Sequence, residues 1–444
     1  MLSLELKLGR ILLYSLTLAV IVSGAPADTH ATTDATVSSS AEPSTPTDPF
    51  ASDDANPILW SPDSHTIPEA VRGPYGGSVL RPQNVAIDKE NADMLAPPTT
   101  DHGDMPNAKW PIGLSHNRLQ TGGWARQQNI QSMPIATQIA GVNMRLDAGA
   151  VRELHWHGTA EWGYIMKGSV QITSINQNGQ NFLSTIGPGD VWYFPAGMPH
   201  SIQATNESVD GAEFILVFDD GSFSEDSTFL LTDWLSHVPK EVLAKNFQVP
   251  MSAFDRIPSE ELYIYPAASS PDEKQLPVSA GGTIPDSYTY PFSKTSFTPL
   301  SGGSFKILDS STFPASKTIA AAEVIVEPGA MRELHWHPTQ DEWSFFLEGT
   351  GRMTIYAAQS NARTFDFKAG DIGYVPASNG HYIENTGNTT LRFLEVFRSD
   401  RYQDIGLQQW LALIPAQLVQ EHLGLSAETL AHLNKTKQTV VGPV

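Results

Sequence analysis

The chain of 444 residues contains no cysteine. No disulfide can staple it, so an oxidising exterior neither helps nor harms it. Stability must come from core packing and bound metal, with homo-oligomeric assembly left open as a further source. Basic residues are scarce: 27 Lys and Arg face 48 Asp and Glu, for a net charge of -21. That balance, with no local basic patch, excludes nucleic acid and anionic membrane surfaces as partners. Long apolar runs are missing too. The one near the N-terminus, Ile11 to Val22, falls short of the ~20 residues needed to span a bilayer. What is present is 40% hydrophobic residues with 34 Gly and 32 Pro, the make-up of a folded, turn-rich, β-dominated chain.

The N-terminal run has another reading. Lys7 and Arg10 precede it and Ser23-Gly-Ala-Pro-Ala27 follows, the layout of a secretory signal peptide over residues 1–27, which predicts a secreted protein with no membrane attachment once the signal is removed. Residues 28–50 are Thr, Ser, Ala, Pro and Asp with almost no large apolar side chain, a stem that cannot pack a core. An N-terminal arm spans 51–131. Asn206-Glu-Ser208, Asn388-Thr-Thr390 and Asn434-Lys-Thr436 are glycosylation acceptors if the secretory route is eukaryotic.

The chain repeats itself. Gly149-Ala-Val-Arg-Glu-Leu-His-Trp-His157 returns as Gly329-Ala-Met-Arg-Glu-Leu-His-Trp-His337, 180 positions later. Each copy is followed by a glutamate (Glu161, Glu342), a Gly-Asp pair (Gly189 and Asp190, Gly370 and Asp371), a proline (Pro195, Pro376) and a histidine (His200, His381). A length beyond what one core organises therefore divides into two units, 132–265 and 291–444, joined by a linker over 266–290. Short apolar or alternating runs such as Val170–Ile175, Val191–Phe194 and Leu391–Phe397 predict strands joined by turns. Each unit closes in a helical pattern, Asp233 to Asn246 and Leu407 to Leu423. The fold class is all-β with helical caps, two tandem antiparallel barrels or jelly rolls.

In a strand, residues i and i+2 share a face, so His155 and His157, like His335 and His337, project side by side toward one ion. Glu161 with His200, and Glu342 with His381, complete two sets of three imidazoles and one carboxylate. An octahedral ion such as Mn(II), Fe(II) or Ni(II) would keep two positions open on such a set, whereas structural zinc favours a closed tetrahedron. The bland alternative is a histidine pair satisfied by hydrogen bonds in the core. Arg152 and Arg332 stand three residues before each pair, and a guanidinium fork suits a small carboxylate. Strict strand alternation would turn each arginine away from its histidines, so this role requires a bulge.

These motifs, Gly149-x5-His155-x-His157-x3-Glu161-x6-Gly168 and Gly189-x5-Pro195-x-Gly197-x2-His200, resemble the two cupin motifs, and their recurrence is similar to the bicupins. The second unit departs by one extra residue before Glu342 and by Ser378 where the motif has glycine. Phe218 to Trp234 is 16 positions and Phe397 to Trp410 is 13, so the first unit carries a longer loop. That loop, Phe218-Asp-Asp-Gly-Ser-Phe-Ser-Glu-Asp-Ser-Thr-Phe229, resembles the lid of oxalate decarboxylases. The resemblance implies two Mn(II) per chain on the eight ligands, dioxygen as a further cofactor, Arg152 and Arg332 as substrate-holding arginines, Glu225 as the lid acid and Glu395 as an acid near the second metal. Leu216 stands where Glu395 falls. The implied reaction converts oxalate to formate and CO2, with Glu225 delivering the proton. An oxalate oxidase making hydrogen peroxide, and a non-catalytic storage or sugar-binding bicupin, stay open as alternatives.

Overall fold

The computed structural model describes residues 84–91, 94, 97–98 and 100–444; the segments expected to be a signal peptide, a stem and the first part of an arm lie outside the described residues. Four antiparallel sheets make two barrels, each a seven-stranded sheet facing a six-stranded one. In the first barrel the larger sheet runs, edge to edge, Thr289–Tyr290, Val191–Phe194, Glu161–Lys167, Ala212–Phe218, Ala140–Leu146, Gly123–Gln128 and Arg118–Gln120. The smaller runs Phe229–Leu230, Val151–Trp156, His200–Ala204, Val170–Ile175 and Asn181–Ile186, with Ile264–Tyr265 also paired to Val151–Trp156. The second barrel repeats the order, from Asp371–Val375 through Glu342–Glu348, Leu391–Phe397 and Ala320–Val326 in one sheet. Its other sheet centres on Gly380–Asn385 beside Met331–Trp336.

Edge strands are exchanged between the barrels. Lys109–Pro111, which precedes the first barrel in the chain, pairs with Asp371–Val375 of the second. Thr289–Tyr290, which precedes the second, pairs with Val191–Phe194 of the first. The segment read as an arm is thus shared: 109–111 completes one barrel's sheet, and 118–128 supplies two strands of the other.

The larger sheets carry apolar residues on both faces. Trp162 and Tyr164 on one side of the contact, and Trp343, Phe345 and Tyr374 on the other, belong to one buried cluster that passes from barrel to barrel. Gly141 allows the approach, since a Cβ there would lie 2.3 Å from the Trp343 ring. Strands buried on two faces lose their alternation, which is why Glu161–Lys167 and Glu342–Glu348 are buried over five successive residues.

The helical caps differ from the sequence expectation. Each pattern resolves into two short helices, Leu231–Ser236 with Lys240–Phe247, and Leu407–Ala412 with Ala416–Leu423. Pro239 and Pro415 sit immediately before the second helix of each pair. A proline has no N–H to continue a helix but suits the start of a new one.

Candidate metal centres

His155, His157, Glu161 and His200 are brought together by three strands and the turn that follows the first, with their ligand atoms within 4.8 Å of one another, as are those of His335, His337, Glu342 and His381. All eight residues are buried. Each imidazole is held by its Nδ1 against a backbone carbonyl. His155 meets Glu153 at 2.5 Å, His157 meets Thr159 at 2.7 Å and His200 meets Met198 at 2.7 Å. His335, His337 and His381 meet Glu333, Gln403 and Asn379 at 2.7, 2.7 and 3.0 Å. A carbonyl only accepts, so Nδ1 carries the hydrogen and Nε2 presents a lone pair to the centre of the set.

At the first centre the electrostatics agree. Burial, then Arg152 and the neighbouring imidazoles, push His155 well below its usual range, and burial lowers His200 against the pull of Glu161. Burial works to raise the Glu161 carboxyl, but the His200 and His157 imidazoles facing it outweigh this and hold it below the ordinary carboxylate range. Its Oε1 accepts from Trp192 Nε1 at 2.8 Å, leaving Oε2 toward the histidines. Glu342 is oriented by the Ser344 hydroxyl instead.

The bulge that the arginines require is present. His200 pairs with His155 and Ile202 with Arg152, so two residues on the ligand strand oppose one on its neighbour. The second barrel repeats this with His381 against His335 and Ile383 against Arg332. Arg152 and Glu153 are both buried in succession while Leu154 points outward. The extra residue turns Arg152 back to the side of its histidines.

Arg152 Nη2 lies 2.8 Å from Glu225 Oε2, and both side chains are buried. Tyr263 donates its hydroxyl to the same oxygen at 2.9 Å. The loop that carries Glu225 is fastened by Gln127, whose Oε1 accepts from the Glu225 amide at 2.9 Å, and by Asn129 Nδ2, which donates to the Phe223 carbonyl at 2.9 Å. Asp226, next to Glu225, does not crowd it. It faces outward to Arg118, with its side chain 81% exposed.

At the second centre all three guanidinium nitrogens of the fully buried Arg332 are engaged. Nε reaches Glu395 at 3.1 Å, Nη1 the Thr439 carbonyl at 3.3 Å, and Nη2 both Tyr402 and Asp404 at 2.9 Å. Burial pushes the Glu395 carboxyl up, with Arg332 opposing, and its Oε2 has no partner.

Tandem matches to the cupin domain cover residues 115–252 and 293–431. Oxalate decarboxylase OxdC of Bacillus subtilis is 49% identical over 383 residues, 84% of this chain and 97% of that protein. The chain belongs to the oxalate decarboxylase bicupins. A probable oxalate decarboxylase of Arthroderma benhamiae is 43% identical over 364 residues, 81% of this bicupin and 89% of that one. A solved structure of the Bacillus subtilis enzyme at pH 4.6 superposes with a TM-score of 0.82 at 48% identity, covering 85% of this chain and 98% of that chain. Another, at the same TM-score and identity over 85% and 100%, was determined in work on the Mn(II) centres of that enzyme.

Both donor sets of this bicupin fit such an ion. The Nε2 atoms of His200 and His335 are buried with no hydrogen-bond partner, a costly arrangement that a cation would relieve. Neutral imidazoles and one carboxylate oxygen are also the donors that suit a six-coordinate divalent metal.

Sequence reasoning missed Tyr263, Tyr402 and Asp404. Asp404 had a signal: it follows Phe397 by seven residues, as Glu225 follows Phe218. So the second barrel also sets an acid against its arginine, although on a shorter loop. Burial works to raise Asp404, but Arg332 and Lys437 beside it pull its carboxyl down to about 2. A folded-state value below the unfolded one means stability that is present above pH ~4 and lost as pH falls through about 2, an effect of about 2 kcal/mol. Denaturant titrations of the protein and Asp404→Asn are expected to show a gap at pH 6 that largely closes by pH 2.

Proposed function

We propose that this bicupin converts oxalate monoanion to formate and CO2 at the first barrel, loaded with Mn(II) and using dioxygen as cofactor. The observation that carries this reading is the buried Glu225–Arg152 pair beside the His155, His157, Glu161 and His200 set. The overall change, HC2O4⁻ to HCO2⁻ and CO2, is redox-neutral. It needs one proton taken up and returned to carbon.

The side chains divide that work. Arg152 offers a planar fork to one carboxylate of oxalate, exchanging its contact with Glu225 for the substrate. Glu225, placed by Tyr263 and the Gln127 clamp, takes the substrate's proton and returns it to the carbon left after CO2 departs. The segment from Phe223 to Ser227 covers the site and keeps water from it. Bound Mn(II) would supply two coordination positions beyond the four protein donors and redox exchange with dioxygen. An oxalate oxidase would have no need of an acid at position 225, which is why that alternative is set second.

The first barrel is favoured as the seat because Arg332 already binds Glu395, Asp404, Tyr402 and Thr439. Secretion is proposed from residues 1–27, which have the charged, apolar and small-residue order of a signal peptide. Among the described residues no helix is long and apolar enough to cross a membrane.

Turnover of oxalate in D2O tests the chemistry. Decarboxylation with proton return from an exchangeable acid yields formate with deuterium on carbon; an oxidase yields no formate.

A further inference from the structure

Beyond the metal shell, one side chain touches both the lid and the post it closes against. Arg118, on the edge strand Arg118–Gln120, has its Cζ 3.7 Å from the centroid of the Tyr263 ring. Its Nη1 lies 3.4 Å from Asp226 Oδ1, and its Nη2 bonds Glu261 Oε1. Arg152 lies against the same ring at 4.1 Å. Two cations covering one ring centroid at this range take opposite faces, since sharing a face would press like charges together. The phenol therefore separates the buried Arg152 from Arg118, whose side chain is 27% exposed.

Tyr263 is not free to follow the lid. Its backbone holds φ of 53°, a left-handed conformation a bulky residue adopts only when its surroundings impose it. Glu153 imposes it, accepting from the Tyr263 amide at 2.8 Å and the Leu262 amide at 3.0 Å. The lid, by contrast, borders a cavity of about 590 Å³ lined by Arg118, Arg126, Gln127, Glu225, Asp226 and Tyr263. Arg118 thus ties the residue after Glu225 to a fixed aromatic post, at the mouth of that cavity.

We infer that Arg118 is a latch: a positioning residue that keeps Glu225 closed over Arg152 and so sets how oxalate divides between formate and oxidation. This rests on the decarboxylase reading. While the lid is shut, Glu225 can return the proton to carbon. When it opens, the acid is withdrawn and dioxygen acts as terminal oxidant: C2O4²⁻ + O2 + 2 H⁺ gives 2 CO2 and H2O2, with two electrons passing from oxalate to dioxygen and the protons coming from solvent. A weaker latch lengthens the open interval and raises peroxide per formate.

The test compares peroxide-to-formate ratios of Mn-loaded wild type, Arg118→Ala, Asp226→Asn and Glu261→Gln. Arg118→Ala is expected to raise the ratio about threefold to tenfold, the scale of one exposed ion pair with a cation–π contact, and Asp226→Asn, which loses only the ion pair, by about twofold to fivefold. Glu261→Gln neutralises the one carboxylate on Arg118 that does not belong to the lid and should leave the ratio near wild type. Arg118→Lys, which keeps charge but not the planar face, should fall between. An unchanged ratio in both Arg118→Ala and Asp226→Asn overturns the latch, as does an equal rise in Glu261→Gln. Asp226 is exposed, so its variant decides the matter if Arg118→Ala does not fold. Wild-type protein that makes no formate overturns the decarboxylase reading itself.

Discussion

Glu225→Gln is expected to lower formate production by about 10²–10⁴-fold, the usual contribution of a positioned acid. The substitution keeps the side chain's length. The amide oxygen still accepts from Tyr263, whose hydroxyl reaches Glu225 Oε2 at 2.9 Å, and from Arg152 at 2.8 Å. The clamp from Gln127 engages the backbone amide and is untouched. Only the capacity to carry a proton is lost. Metal content should remain at the wild-type level, and peroxide should become the larger product because nothing then returns a proton to carbon. Steady-state assays of formate and peroxide on the same sample check this. Formate production near the wild-type rate would mean that the proton comes from another group, and Glu225 would lose its role.

The second large effect concerns the metal ligands. His200→Ala leaves His155, His157 and Glu161 with a gap where a buried, unpartnered Nε2 had pointed. Metal analysis is expected to fall from about two ions per chain to about one, and formate turnover by at least about 10³-fold, because an open-sited catalytic ion rests on few protein ligands. His381→Ala makes the equivalent gap in the second barrel. It should lose one ion as well, but keep most of its turnover. Arg332 has its Nε, Nη1 and Nη2 committed to Glu395, Thr439, Tyr402 and Asp404, so a carboxylate arriving there would have to break several buried contacts. Arg152 would have to break fewer, those with Glu225 and the Tyr263 carbonyl. Equal losses of turnover in the two variants would place the reaction in both barrels, or make it depend on both ions.

The metal sets could be read directly because strand geometry makes His-x-His a same-face pair, and repetition removed chance from the pattern. The arginines were legible only as a conflict. Alternation put Arg152 on the wrong side, and the bulge between Arg152 and His155 resolves it. Nothing local announces a bulge in Val-Arg-Glu-Leu-His-Trp, since its cause is the pairing with His200–Ala204. The helical caps were visible as apolar periodicity, yet Pro239 and Pro415 break each cap in two.

Tyr263 could not be found from spacing. The chain returns to the site more than thirty residues after Glu225, and its position depends on Ile264 pairing with Arg152 and on Glu153 holding its amide. The exchange of Lys109–Pro111 into the second barrel was equally hidden, because three residues carry no usable period and their partner lies far along the chain. Asp404 is legible in the sequence: the same seven-residue step from the last strand leads to an acid in both barrels, Glu225 after Phe218 and Asp404 after Phe397.

The most direct test of the account is product stoichiometry. Mn-loaded protein given a known amount of oxalate at acidic pH in air should yield formate and CO2 in equal amounts, each matching the oxalate consumed, with peroxide a minor product. Peroxide with two CO2 per oxalate, or oxalate left unconsumed, would contradict it.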